Sequence, residues 1–591
     1  MRCIALLTIV WIGFARVASA DIQTVWAVND GEKIERDDVS HHAKAGNSTW
    51  DGKRIRLFAA RNEIVAFQVI VEADERGIAK LAASLPELRS PSGGRIVYMP
   101  PASDPTDYIG RPIHLFSVNY MNVTSPSYAS WVYRRGTPAA PSDPTGWKPV
   151  QLVPENARAG KGGFPLAVPP RQNQAIWIEI FTRRDLPAGK YVGNIKISAD
   201  GSSREVPLEL EVLDFVLPDA NSMHAMVYYE PAQPELYQGQ NLDPEYHRFA
   251  HRQRVELVHA YDVERVQREM GRFTGADFTR EKKYEGPGEG VGNVIVPASF
   301  YNPGKDYDER TSAWKASDVW MSFLRRVQPN AITFLYMPDE PKEPVYARIL
   351  KIAENVHSNP GPGRALPILV THRWIEALDP AIDIWASGPR GYDIARAVSE
   401  RKRGRDYWFY NGGRPAGGAI TIDAPATDAR ATIWAAFKHD VRVYFYWHGV
   451  HWRHNHQKPG NKIQNVWADT ITFDNRKEEN RTPDDAGYIH GDGVLMYPGE
   501  EKLHPDQDRG IRGAIATIQL ANLRRGLQDH QYLTLARRLG LHDVVQKEVL
   551  TIVPRVFSDA GDTVSFPEAG DPYEAARLRL ARAIERASGR R

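Results

Sequence analysis

Two adjacent acids, Asp339 and Glu340, stand between Pro338 and Pro341 in "LYMPDEPKE" (335–343), where the apolar run "ITFLYM" (332–337) ends. Most Asp-Glu pairs are solvated loop charges. Here Pro338 fixes its own φ and Pro341 steers Glu340 away from the helical region, so the backbone is expected to be stiff and extended through both acids. Neighbours on a regular strand point to opposite faces, and only a kink at the strand end would turn both into one mouth. Two carboxyls held a few ångströms apart do not titrate alike, because the charge on one raises the pKa of the other. A protonated Glu340 beside an ionised Asp339 suits glycoside cleavage, with one acid for the leaving oxygen and one anion for developing positive charge. Consecutive residues are poorly placed to work on opposite faces of a sugar ring. A substrate that carries its own nucleophile, a 2-acetamido group, removes that difficulty: Asp339 accepts the amide N–H and aims the carbonyl oxygen at the anomeric carbon, while Glu340 acts as general acid and then base.

Other side chains could bind the sugar. Tyr410 and Asn411 end the run "DYWFYN" (406–411). Tyr446 and Trp447 sit in "VYFYWHGVHWRHNHQ" (443–457), where an aromatic face can stack on sugar C–H groups. His372 and Trp385 lie near the ends of two further runs, and Asp492 in "GDGVLMYPG" (491–499) can bond a hydroxyl, although Gly-Asp-Gly is also ordinary turn chemistry. The competing reading for the aromatics is core packing. A zinc site from His448, His451, His454 and His456 lacks the His-Glu-x-x-His spacing and any cysteine support, so neither a metal nor an organic cofactor is expected. The glycine-rich "GPGEGVGN" (286–293) lacks the Lys-Ser/Thr of a phosphate cradle and reads as loop. Arg524, Asp529 and Tyr532 read as structural, pinning a helix through charge-assisted bonds.

The elements that must position these residues read as a multidomain β plus α/β chain. Residues 21–218 are β in pattern and most simply an N-terminal β-sandwich: "YVGNIKISADGSSREVPLELEVLDF" alternates on both sides of an Asp200-Gly201 turn. Residues 100–163, rich in Pro, Gly and Ser, read as loops inserted in it. "LPDANS" (217–222) is the linker. Over 223–509, eight short apolar runs (226–230, 256–261, 293–298, 332–337, 366–371, 382–387, 406–411 and 443–448) alternate with helical stretches such as 345–358 and 392–402. That rhythm predicts a central (β/α)8, TIM-like barrel, whose catalytic residues sit at the C-terminal strand ends. Residues 510–591 read as a C-terminal helical region.

The chain has 591 residues, enough for two or three domains. "MRCIALLTIVWIGFARVASA" (1–20) reads as a signal peptide, with a basic start, an apolar stretch and a small-residue cleavage site, which predicts export to the periplasm or medium. Its apolar run is shorter than the roughly 20 residues that span a bilayer, so no membrane insertion of the mature form is expected. Cleavage removes Arg2, Arg16 and the single cysteine, Cys3; the 75 Lys and Arg less those two leave 73, against 73 Asp and Glu. A balanced charge argues against a nucleic-acid partner, and a chain without cysteine has no disulfide and no thiolate nucleophile.

Six stretches, "LFAARNEIVAFQVIV" (57–71), "LPAGKYVGNIKI" (186–197), "MPDEP" (337–341), "NVW" (465–467), "GDGVLMYPG" and "IRGAIATIQLANLRRGLQDHQYL" (511–533), give the chain a resemblance to glycoside hydrolase family 123, the β-N-acetylgalactosaminidases and the related domain of unknown function 4091. What the resemblance implies is a β-sandwich, a (β/α)8 barrel and retaining, substrate-assisted removal of terminal β-linked N-acetylhexosamine, galacto-configured, with the family's Asp-Glu pair falling on Asp339 and Glu340. Tyr410 would then hold the cyclic intermediate. His490 stands before Gly-Asp-Gly where the family pattern has Asn. Two rivals are a glycosidase on a non-acetamido sugar, with Glu230 as separate nucleophile, and a non-catalytic carbohydrate-binding surface protein. Either way the expected partner is a glycan or oligosaccharide.

Overall fold

The computed structural model describes residues 22–454, 462–476 and 487–589. The expected signal peptide and His456 lie outside the described residues.

The chain is mixed α/β, with β structure first, alternating α/β structure next and helices last. Residues 22–216 form two sheets. One has five strands in the order Ile22–Asn29, Glu63–Ala73, Asn173–Thr182, Ile113–Val123, Gly146–Pro154; the other has seven and includes Ile55–Arg61 and the long hairpin Gly189–Ala199/Ser202–Val216. Residues from both sheets belong to one hydrophobic core. The hairpin turns at Asp200 (φ 44°) and Gly201 (φ 99°), the two positive-φ positions that a two-residue turn needs to match strand twist. The stretch 100–163 is more than inserted loop, because it supplies two strands of the five-stranded sheet. Ile113–Val123 carries Ser117 and Asn119 on its more buried face and Phe116, Val118 and Tyr120 on the other, so it shows no clean alternation from which a half-buried strand can be read.

The middle of the chain builds a seven-stranded parallel sheet. Its strands are β1 (His224–Tyr228), β2 (Glu256–Val258), β3 (Leu335–Tyr336), β4 (Ile368–Thr371), β5 (Ile384–Ser387), β6 (Asp406–Tyr410) and β7 (Val443–Tyr446), in the order β2-β1-β7-β6-β5-β4-β3. The segment 294–298 runs between the two edge strands. Val296 N and Ala298 N donate to Ile332 O and Phe334 O beside β3, and Tyr261 N, just past β2, donates to Pro297 O. All eight predicted runs therefore occupy neighbouring places in sequence order around the sheet. Alternate residues of each, among them Met226, Val258, Ile295, Tyr336, Leu369, Ala386, Trp408 and Phe445, meet in a hydrophobic cluster of their own, while the intervening residues face the larger core shared with the helices. The helices Tyr346–His357 and Ile394–Lys402 fall where periodicity predicts them. Between β4 and β5 the chain makes only a three-residue 3-10 turn.

The C-terminal region is not helical from its start. Ala514–Ala516 pairs with Met496–Pro498, and the helix begins at Ile518, capped by the Thr517 hydroxyl, which accepts from Leu520 N at 3.2 Å. That helix (Ile518–Arg538) is buried almost all round its surface. Its charges are paired with partners from other regions: Asp529 with Arg430 and Trp434, Arg524 with Glu179 at 2.6 Å, and Arg525 with Glu63 at 2.7 Å. Tyr532 donates to Glu63 Oε2 at 2.6 Å. Among the described residues, no helix is long and apolar enough to cross a membrane.

Candidate active site

Asp339 and Glu340 lie three and four residues past the end of β3, at the C-terminal mouth of the parallel sheet. The backbone there is not extended: residues 338–340 form a bend, and Glu340 adopts φ 42°. A left-handed conformation is uncommon for a side chain with a Cβ and persists only where its surroundings hold it. Here Glu340 N donates to Thr371 Oγ1 at 2.9 Å, and Asp339 N donates to Tyr301 O at 3.0 Å. This is the kink that brings consecutive acids to one opening. Pro341 excludes the right-handed helical alternative for Glu340, and the hydrogen bond to Thr371 favours the left-handed one over the extended chain.

Each acid has its own donors. Tyr336 OH and Thr371 Oγ1 both donate to Asp339 Oδ1 at 2.8 Å, and Tyr410 OH donates to Glu340 Oε1 at 2.7 Å. Both residues are solvent-exposed. The surrounding protein nonetheless partly desolvates Asp339, and together with the charge of Glu340 this raises its pKa above the ordinary carboxylate value, against the opposing pull of the Tyr336 and Thr371 bonds. The raised carboxyl is thus that of Asp339, the acid expected to be the ionised partner. The phenols of Tyr410, Tyr336 and Tyr301 are pushed well above 10 by burial and by these same carboxylates, so they remain donors throughout the working pH range.

Asn411 (φ 56°) follows Tyr410 and braces the next loop, its Oδ1 accepting from Trp447 N at 2.9 Å. Trp447 is half-buried. Its Nε1 donates to Asp492 Oδ1 at 2.9 Å, and Tyr301 OH donates to its carbonyl at 2.5 Å, so the indole is fixed at the mouth. Burial raises the Asp492 carboxyl to about 6 despite the bonds from Trp447 and Tyr446. Tyr446 is not a stacking platform: it is 1% exposed, lies on the helix-facing side of β7, and spends its hydroxyl on Asp492 Oδ1 at 3.1 Å. Trp385 is likewise no sugar contact. It is 0% exposed in the core shared with the helices, because strand alternation turns Ile384 and Ala386 inward and the residue between them outward. His372 is half-buried one residue past β4, and its imidazole lies 3.5 Å from Tyr346 OH on the preceding helix. His490 is 1% exposed, with its ring nitrogens against Thr470 Oγ1 and Ser125 O, and is part of the loop scaffold with no place on the rim.

Glu230, two residues past β1, is partly exposed and accepts from Gln233 Nε2 at 2.6 Å, with His448 Nε2 at 4.0 Å. Burial depresses His448 to about 3, and its Nδ1 accepts from Val450 N, so the neutral ring presents an N–H at Nε2. Among the described residues, no group of three or more His, Cys, Asp or Glu could hold a metal ion. Sequence reasoning missed Thr371, Tyr336 and Tyr301. Thr371 had a usable signal, a polar residue closing an apolar run. Tyr336 reads as core, and Tyr301 follows the least strand-like of the eight segments.

Two β sheets, a parallel sheet with an acid pair at its C-terminal mouth, and C-terminal helices together make up the fold. A family 123 glycoside hydrolase from Clostridium perfringens, studied for glycolipid glycan hydrolysis, superposes with a TM-score of 0.62 over 96% of this chain and 98% of its own, at 12% identity. The chain therefore has the family 123 glycoside hydrolase fold over nearly its whole length. A β-glucuronidase from Parabacteroides merdae matches over 65% of this chain and 45% of its own, at 10% identity and a TM-score of only 0.23. No protein-family model and no curated protein matches the sequence.

Proposed function

We propose that the protein is an exported β-N-acetylhexosaminidase, acting on terminal N-acetylgalactosamine by a retaining, substrate-assisted mechanism. In this reading the two N-terminal sheets are a β-sandwich, the parallel sheet closed by 294–298 is a (β/α)8 barrel, and residues 1–20 are the export signal. The observation that carries the reading is the bend at 338–340, which holds two consecutive carboxylates at one mouth with separate donors on each.

The chemistry follows from that division. Tyr336 and Thr371 both donate to Asp339 Oδ1, leaving Oδ2 to accept the substrate's amide N–H. That bond favours the charged form of Asp339 and leaves the general-acid role to Glu340. The acetamide oxygen bonds to the anomeric carbon as the bond to the leaving oxygen breaks, and Glu340 gives that oxygen its proton. A water, losing a proton to Glu340, then attacks the anomeric carbon, the cyclic intermediate opens, and the configuration is retained. Tyr410, whose hydroxyl holds Glu340 in the free protein, is placed to donate to whichever oxygen carries charge.

The test is hydrolysis of aryl β-GalNAc, β-GlcNAc and β-galactoside by residues 21–591, beside Glu340→Gln and Asp339→Asn. Cleavage of acetamido sugars alone, reduced at least ~100-fold in both variants, is the expected result. Cleavage of the plain galactoside would overturn substrate assistance and bring Glu230 in as nucleophile. Glycan binding without turnover, unchanged in Glu340→Gln, would identify a binding protein.

A further inference from the structure

The two large aromatic side chains that the described residues leave exposed, Tyr128 (48%) and Trp131 (37%), lie on one loop of the N-terminal β region, and Trp131 is the single tryptophan among them so exposed. The loop is not loose. Ser127 N and Tyr133 OH both donate to Asp423 Oδ2, at 2.7 and 2.5 Å; Tyr128 exchanges backbone bonds with Tyr488 at 2.8 and 2.9 Å; Arg414 N donates to Val132 O at 2.8 Å. Arg390 Nη1 donates to Ser130 O at 2.7 Å, and Ala129, Val132 and Tyr133 are buried against Ala419 and Ile489. The backbone on either side of Trp131 is thus tied to the parallel-sheet region while the indole itself faces water. Leaving an aromatic surface in water is unfavourable, and a rigid, partly exposed tryptophan is a ready contact for a ligand.

Its position ties it to the acid pair. The carbonyl of Trp131 packs on Gly413, where an added Cβ would come within 2.6 Å of it, and Gly413 lies three residues past Tyr410, the donor to Glu340. On the other side, Trp131 meets Phe473 edge-on at 5.9 Å, and Phe473 meets Trp447 edge-on at 5.9 Å. Trp131 therefore lies at most about 12 Å from the Trp447 ring, a distance no greater than the length of about two sugar units.

We propose that Trp131 is an outer subsite of the cleft, contributed by the N-terminal β region, which stacks on a sugar of the leaving group in an oligosaccharide substrate. The inference rests on the glycosidase reading above and adds to it that the enzyme prefers oligosaccharides to single glycosides. Trp131 touches neither acid, so the chemical step on a small substrate does not depend on it.

The experiment compares the wild type, Trp131→Ala and Trp131→Phe on two substrates, an aryl β-N-acetylhexosaminide and a trisaccharide with the same terminal sugar. The expected result is a loss of about tenfold or more in kcat/KM for the trisaccharide in Trp131→Ala, carried by KM, with the aryl glycoside unchanged within about twofold and partial recovery in Trp131→Phe. Equal activity of wild type and Trp131→Ala on the trisaccharide would overturn the subsite while leaving the glycosidase reading intact. Equal losses on both substrates would overturn it as well, since the residue would then act through the fold. A wild type that neither cleaves nor binds either substrate defeats the glycosidase reading itself, and the subsite with it.

Discussion

One hydroxyl, that of Thr371, touches both members of the acid pair: it accepts from the backbone N–H of Glu340 at 2.9 Å and donates to Asp339 Oδ1 at 2.8 Å. It thereby secures the left-handed bend and holds one carboxylate oxygen of Asp339. Thr371→Val keeps the shape and loses both bonds. The expected outcome is a fall in kcat on the order of tenfold to a hundredfold, since a displacement of about 1 Å at reacting groups has that effect. The Thr371 bond also lowers the Asp339 pKa, so its removal moves the acid limb of the kcat/KM profile to higher pH. Thr371→Ser should restore both properties. A pH profile that does not move, with kcat intact, would remove Thr371 from the site.

Tyr410 OH is a permanent donor to Glu340, its own ionisation lying well above the working range. Tyr410→Phe removes that donor without opening a cavity of any size. Activity on the preferred aryl glycoside is expected to fall roughly tenfold to a hundredfold, with KM changed much less, because the lost bond matters most where charge develops. Asn411→Ala, which loosens the Trp447 backbone, should show the opposite balance and raise KM more than it lowers kcat. Steady-state kinetics of the two variants side by side decide the assignment.

How much of this was legible beforehand depends on which physical signal each feature carries. The acid pair was readable because two prolines and a strand end are local features, and the eight runs were readable because buried parallel strands are continuous apolar stretches. The bend itself was not, since prolines on both sides favour extension and the contact that reverses Glu340 comes from Thr371, more than thirty residues away in sequence. Trp385 and Tyr446 were misassigned for one reason: a short run gives no phase, so which alternate residue faces the mouth cannot be read from it. The strands inside 100–163 were hidden by the Pro, Gly and Ser around them.

The N-terminal β region and the C-terminal helices are joined by a buried charge cluster. Glu63 accepts from Arg525, from Arg577 and from Tyr532, and both arginines also pair with Glu574. The Glu63, Arg525 and Arg577 side chains are all but inaccessible to water. Removing one partner leaves uncompensated charge in a medium that solvates it poorly. Glu63→Ala is expected to lower stability by about 3–5 kcal/mol. Chemical denaturation measures this, and kcat of the folded fraction at low temperature should stay near that of the wild type because no member of the cluster touches the mouth.

Asp492 provides a test in which stability and pH are linked. Its pKa is raised by burial to about 6, so between the ordinary value of 3.8 and about 6 the folded protein holds a proton that the unfolded chain has released. Stability from this group is therefore fully present below 3.8 and is lost as pH rises through about 6. Asp492→Asn keeps an acceptor for Trp447 Nε1 and Tyr446 OH but cannot ionise. Its Tm relative to the wild type should be higher at pH 7.5 and should converge with it near pH 4. The same substitution separates structure from binding: if Asp492 also bonds a sugar hydroxyl as an anion, KM rises at pH 7.5 even as the fold gains stability, whereas a purely structural Asp492 leaves KM unchanged. Thermal melts and KM measured at the two pH values on one preparation give both answers, and a Tm difference independent of pH would refute the raised pKa.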